Sequence, residues 1–212
     1  MRKSLLMAAT AAGLSAATAT AQGPSAVRLR LEPGSEISIE GTSTMHDFHC
    51  KTDKIMAYVD VDPNYTKDLT KVVRPIVSVK VNIVVKTLKC GNGTMDNNMY
   101  GTLNAGKNPL IQYTLSGYDI LDGSASGFGA NTKGTLKIAG AEKVVAMKIN
   151  ASRLNEGKAT AEGTESLKMT DFGIQPPSFM FGRLKVGNEI KVKFNLKAGP
   201  EMIAQLAAAA GR

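Results

Sequence analysis

The stretch Ile76-Val77-Ser78-Val79-Lys80-Val81-Asn82-Ile83-Val84-Val85-Lys86 decides the fold class. Val77, Val79, Val81, Ile83 and Val85 fall on one face of an extended chain, while Ser78, Lys80, Asn82 and Lys86 fall on the other. Period-two alternation marks a strand with one face in a core and one in water, and the β-branched side chains suit that conformation.

Working outward, the same pattern recurs. Segment 35–44 alternates through Ile37 and Ile39, and segment 54–62 puts Ile55, Ala57, Val59 and Val61 on one side. Further strands are predicted over 110–118, 128–138, 144–152, 158–170 and 189–197, with turn residues between them at Asp122-Gly123, Asn155-Glu156-Gly157 and Val186-Gly187-Asn188. About eight strands at this spacing and little helix predict an all-β sandwich or barrel. Met95, Met99 and Leu103 break the pattern at helical spacing and predict a short helix over one barrel end, within 95–104. A brief Ala-rich helix is expected over 201–210, after Gly199-Pro200.

The 212 residues suffice for one domain with a substantial core. Met1-Arg2-Lys3 is a basic n-region, 5–17 is uncharged, and Ala19-Thr20-Ala21 is a small-x-small cleavage site. Together they read as a secretory signal over 1–21, cut after Ala21, that delivers the product to an oxidising compartment. Losing Arg2 and Lys3 lowers the net charge from +8 to +6. The remaining lysines are spread along the strands. Without a basic stripe interleaved with aromatics, nucleic-acid binding is not expected, whereas a transient attraction to anionic membrane surfaces is.

Several motifs fail on context. Asp171-Phe172-Gly173 spells a kinase tripeptide without the loops that give it meaning, and Gly127-Phe128-Gly129 lacks the third glycine of a dinucleotide fingerprint. His46 and His49 flank a Cys-containing segment, but strand positions three apart face opposite sides, so no metal site is expected. No nucleophile and base can be placed on one face, so no catalytic residues are assigned and no enzyme is predicted. Cys50 and Cys90, even in number and beyond the signal, read as a disulfide closing a loop of about 40 residues, contributing roughly 3–4 kcal/mol in the chain-entropy model; the alternative is two separate buried thiols.

Several segments stand in a fixed order: Ile39-Glu40-Gly41-Thr42-Ser43-Thr44-Met45-His46-Asp47-Phe48, then Met95-Asp96-Asn97-Asn98-Met99-Tyr100-Gly101-Thr102-Leu103 and Asn108-Pro109-Leu110-Ile111-Gln112-Tyr113. Gly134-Thr135-Leu136-Lys137-Ile138-Ala139-Gly140 follows, and the series ends with Met169-Thr170-Asp171-Phe172-Gly173-Ile174 and Val186-Gly187-Asn188-Glu189-Ile190. In these segments, from 35 to 198, the chain resembles the YceI family of periplasmic polyisoprenoid-binding proteins. One departure is Ala141-Glu142-Lys143, where many members have Val-Thr-Lys. The resemblance implies an eight-stranded antiparallel lipocalin-like barrel with one short helix near its mouth, and a 199–212 tail. It also implies periplasmic carriage of an isoprenoid lipid, a quinone or polyprenyl chain, with no catalytic cofactor.

A strand of the length of 76–86 spans roughly 37 Å at about 3.4 Å per residue, and a tilt of about 40° makes a barrel roughly 28 Å high. Such a barrel is filled by its own side chains or holds one ligand. Few aromatics, no Trp, many Met and inward Val, Ala and Gly leave the hollow form open. By alternation Val79, Val81, Ile83, Ile111, Tyr113, Leu136, Ile138, Met147 and Ile149 are expected in the ligand-binding wall. Met99, Phe172, Phe179 and Met180 are expected at the mouth or lid. The alternative function is a packed, non-enzymatic barrel for periplasmic interaction or stress response.

Overall fold

The computed structural model describes residues 26–64, 74–153 and 157–200. These form β1 (Val27–Leu31), β2 (Glu36–Ser43), β3 (Phe48–Thr52), β4 (Ile55–Val61), β5 (Ile76–Val84), β6 (Leu110–Gly123), β7 (Gly127–Ile138), β8 (Ala141–Arg153), β9 (Ala159–Lys168), β10 (Ser178–Phe179) and β11 (Leu184–Pro200), with one α-helix, α1 (Gly93–Thr102), among the described residues. The strands run round in the order β1-β4-β5-β6-β7-β8-β9-β11. β11 then pairs back onto β1, from Leu29↔Pro200 to Leu31↔Ala198, which closes an antiparallel ring of eight. Closure leaves the ring without a free edge, the usual solution for an antiparallel sheet.

β2 and β3 lengthen this ring at one place. β2 pairs with β11 along the same edge as β1, and its other side pairs with β3, which leads directly into β4. The first two ring strands are therefore long and broken, β1 with β2 and β3 with β4, joined by the 44–47 turn. At the first break, after Pro33-Gly34, the buried Ser35 hydroxyl accepts from the Lys197 N–H at 3.0 Å and lies 2.9 Å from the Glu32 carbonyl, bridging the interrupted ladder.

The barrel begins at Val27 and ends at Pro200, wider than the 35–198 expected. Val27, Leu29 and Leu31 do alternate, but over five residues only. Two facing assignments change as well. Val77 points outward and is 61% exposed, because between Asp60↔Ser78 and Val61↔Ile76 the ladder slips and leaves Val77 as the extra residue. Ile76 takes the inward place. Val85 is buried but belongs to a 3₁₀ turn, Val85–Thr87. A similar slip between Leu115 and Gly117 turns Tyr118 inward. The expected signal (1–21) and Ala-rich helix (201–210) lie outside the described residues, as does the turn residue Asn155.

The buried apolar residues form four separate clusters, around Leu29–Val61–Ala198, Ile37–Ala57–Val81–Ile83, Ile138–Met169–Phe172–Ile174 and Tyr118–Ala130–Ile149. A solidly packed domain of this size has one contiguous core. Here inward residues such as Val79, Ile111, Leu136, Leu167 and Val192 are only partly buried, because they face a space and not another side chain.

Candidate functional site

That space is a cavity of about 780 Å³. All eight ring strands contribute to its wall, among them Leu29, Ala57, Val79, Ile111, Leu136, Met147, Leu167 and Val192. It extends from the Leu29–Ala198 end of the barrel to α1 and residues 169–180 at the other. Each wall residue is placed by strand alternation, which sends every second side chain inward while the lysines between them face water. A barrel packed solid by its own side chains would leave no such volume. All thirteen residues singled out in the sequence for the wall and mouth line this cavity: Val79, Val81, Ile83, Ile111, Tyr113, Leu136, Ile138, Met147, Ile149, Met99, Phe172, Phe179 and Met180.

Two glycines let large rings lie along the wall. A Cβ on Gly134 would stand 2.5 Å from the Tyr113 ring, and one on Gly163 would stand 2.5 Å from Phe194. Each ring therefore packs directly against the glycine of the neighbouring strand.

Helix α1 covers one end and turns Met95, Met99 and Leu103 toward the cavity. Its first turn is capped by the Asn92 side chain, which accepts from the Met95 N–H. Three fastenings hold the helix down. The Cys50–Cys90 disulfide ties the preceding segment to β3. The nearly buried Asp96 carboxylate accepts the Cys90 N–H at 2.7 Å and faces Lys89 at 3.2 Å, and these two partners hold its pKa below the ordinary value. The Tyr100 hydroxyl lies 2.8 Å from the Lys86 and Leu88 carbonyls and accepts from Lys89 at 2.9 Å. The Lys89 pKa is raised, first by Tyr100 and then by Asp96.

Polar groups inside are few. Tyr118 closes the far end, its hydroxyl accepting from the Ile76 N–H at 2.9 Å and facing the Ile76 carbonyl at 3.1 Å. The Tyr113 hydroxyl is buried without a hydrogen-bond partner. Burial raises its pKa, offset in part by the Thr132 hydroxyl beside it, although the geometry closes no bond between them. Glu165 lines the cavity, and burial alone raises its pKa. The sequence reading passed over Glu165; its only signal was the Gly163-Thr164-Glu165-Ser166-Leu167 alternation that puts it on the face of Leu167. His46 sits exposed at the mouth with Nδ1 2.9 Å from the Asp47 carbonyl, while His49 faces Glu40 at 3.6 Å on the outer surface.

A closed eight-stranded antiparallel barrel, hollow, apolar within and lidded by a short helix, is a lipocalin-like architecture. The chain belongs to the YceI-like family: the family model, described as a YceI-like domain, matches residues 30–198. No curated protein matches the chain. Among solved structures it is similar to Burkholderia cenocepacia BcnA, at 19% identity and a TM-score of 0.64, covering 79% of this chain and 98% of that one. A polyisoprenoid binding domain from Saccharophagus degradans, implicated in plant cell wall breakdown, aligns at 12% identity and a TM-score of 0.61 over 83% and 99% of the two chains. The Campylobacter jejuni YCEI protein aligns at 18% identity and a TM-score of 0.56 over 72% and 84%. At these identities the likeness speaks for the fold.

Proposed function

We propose that the protein binds and carries a single elongated apolar molecule, a polyisoprenoid such as a quinone or polyprenyl chain, inside its barrel without altering it chemically. The observation that carries this reading is the cavity of about 780 Å³ bounded by apolar side chains from every ring strand. That volume lies in the range of sites that enclose one small ligand, roughly 300–1,000 Å³. Family membership and the similarity to a polyisoprenoid binding domain support the ligand class. An apolar tail would be held by removal of its surface from water, and affinity would be limited by the cost of ordering it.

A periplasmic setting is part of this proposal: residues 1–21 read as a secretory signal, and the Cys50–Cys90 bond suits an oxidising compartment. Loading from a membrane suits the rim. Phe181 is fully exposed and Met180 is 63% exposed, next to Arg183 and Lys185, and Thr44 ties the turn carrying exposed Met45 to Lys185. Apolar tips beside cations are the combination that anionic lipid surfaces attract. Native mass spectrometry of protein purified from its own envelope without detergent tests the proposal. A retained mass matching a polyisoprenoid is the expected result, and consistently empty protein would overturn it.

A further inference from the structure

We propose that the cavity discriminates among apolar-tailed occupants by head group: Glu165 and Tyr113 favour a head that donates hydrogen bonds, as a quinol or polyprenol hydroxyl does and an oxidised quinone does not, and an ammonium most strongly. This rests on the cavity being a binding site. Glu165 occupies an inward position of β9, paired with Val192 of β11, and borders the cavity. Its carboxylate makes no hydrogen bond and no ion pair with any described residue.

Tyr113 pairs with Leu136 of β7, four residues from Thr132, and its ring reaches back over Gly134 toward the level of Glu165. β8 and β9 pair as far as Ile149↔Gly163, and the next inward residues beyond that pair are Met147 and Glu165. Met147 pairs with Thr132 of β7, whose hydroxyl donates to the Met147 carbonyl at 3.0 Å and lies beside the unpartnered Tyr113 hydroxyl. An acid and a phenol therefore flank Met147 on an otherwise apolar wall.

Among the described residues no cation answers the acid. On β9, Lys168 lies nearer the mouth, and Glu162 points outward. On β11, Lys191 and Lys193 flank Val192 but face water, Lys193 bonding Glu40 at 2.7 Å. On β8, Lys148 is exposed, and Arg153, which lines the cavity opposite Ala159, donates to the Ala125 carbonyl. Glu165 is half-buried, and a bare hydrocarbon chain filling the cavity would strip water from its carboxylate without replacing it. A donor on the ligand replaces that water, a cationic donor most effectively, and an anionic head adds repulsion. Because burial raises the acid's pKa, the carboxylate becomes more fully charged as pH rises through that value, and ammonium binding should tighten over the same interval.

The test is calorimetric titration of the full chain, stripped of lipid, with dodecylamine, dodecanol and dodecanoic acid at neutral pH. Dodecylamine should bind roughly tenfold or more tightly than dodecanoic acid, with dodecanol between them, as one charge-assisted hydrogen bond predicts. Glu165→Gln, nearly isosteric, should close most of that gap, and Tyr113→Phe should weaken dodecanol in particular. Equal or tighter binding of dodecanoic acid, or an unchanged gap in Glu165→Gln, would overturn the head-group proposal while leaving the cavity reading intact. Failure of all three probes to bind would instead overturn the cavity reading and this proposal with it.

Discussion

Ile111 tests whether the wall faces space. It borders the cavity from β6, opposite Ile83 of β5, and packs against two of the buried clusters. Trp at this position should protrude into the open interior, so Ile111→Trp stripped of lipid should unfold in denaturant within about 1 kcal/mol of the parent, and the same variant taken from its envelope should retain less lipid by native mass spectrometry; a packed interior would lose roughly 1–3 kcal/mol from overcrowding. Asp96 gives a prediction in pH. Its native pKa is depressed, by the Cys90 N–H first and Lys89 next, so its contribution is fully present above the unfolded value near 3.8 and is lost as pH falls through the native one. Hydrogen exchange of the α1 amides should therefore accelerate in that acid interval ahead of the barrel strands, and should be insensitive to it in Asp96→Asn. Wall residues such as Ile83, Ile111 and Leu136 were legible in the sequence because alternation is a local property. Val77 was not, since its direction depends on how β5 slips against β4, which no single segment records. Glu165 escaped notice because a glutamate in an alternating strand ordinarily faces water.

The elements differ in what holds them. Helix α1 is ten residues long, too short to persist alone, and depends on its fastenings. Replacing both Cys50 and Cys90 by Ser should lower stability by about 2–4 kcal/mol and raise exchange across α1 more than across β7 and β8, read by denaturant unfolding and exchange mass spectrometry. The helix was legible from Met95, Met99 and Leu103, and the pairing of the cysteines from their number and setting; β1 was not read at all. The rim segment Met180–Gly182, with Met180 and Phe181 at positive φ, carries its apolar tips outward. Phe181→Ser should reduce co-sedimentation with anionic vesicles several-fold and leave the melting temperature unchanged, because the ring touches water and not the wall. Equal sedimentation of the two proteins would remove the rim from membrane contact.

At the scale of the whole molecule, about eight strands were foreseeable from the count and spacing of alternating segments, whereas closure into a barrel rather than a sandwich followed only from the family resemblance. The volume left inside was not foreseeable, because it depends on how two rings lie over Gly134 and Gly163. A ligand that fills this volume stabilises the native state in proportion to its occupancy, about 2.7 kcal/mol at a hundred times its dissociation constant. Protein recovered from its native envelope should begin at Gln22, by intact mass and N-terminal sequencing, and should leave the cell in the periplasmic extract; a product retaining Met1 in the cytosol would defeat the compartment assignment. The ring is closed by its first strand meeting its last, Leu29 against Pro200. During synthesis, seven ring strands can assemble only as an open sheet with two adhesive edges until β11 emerges. Completion of the barrel is thus a late, whole-chain event, and until it happens the chain is exposed to edge-to-edge aggregation.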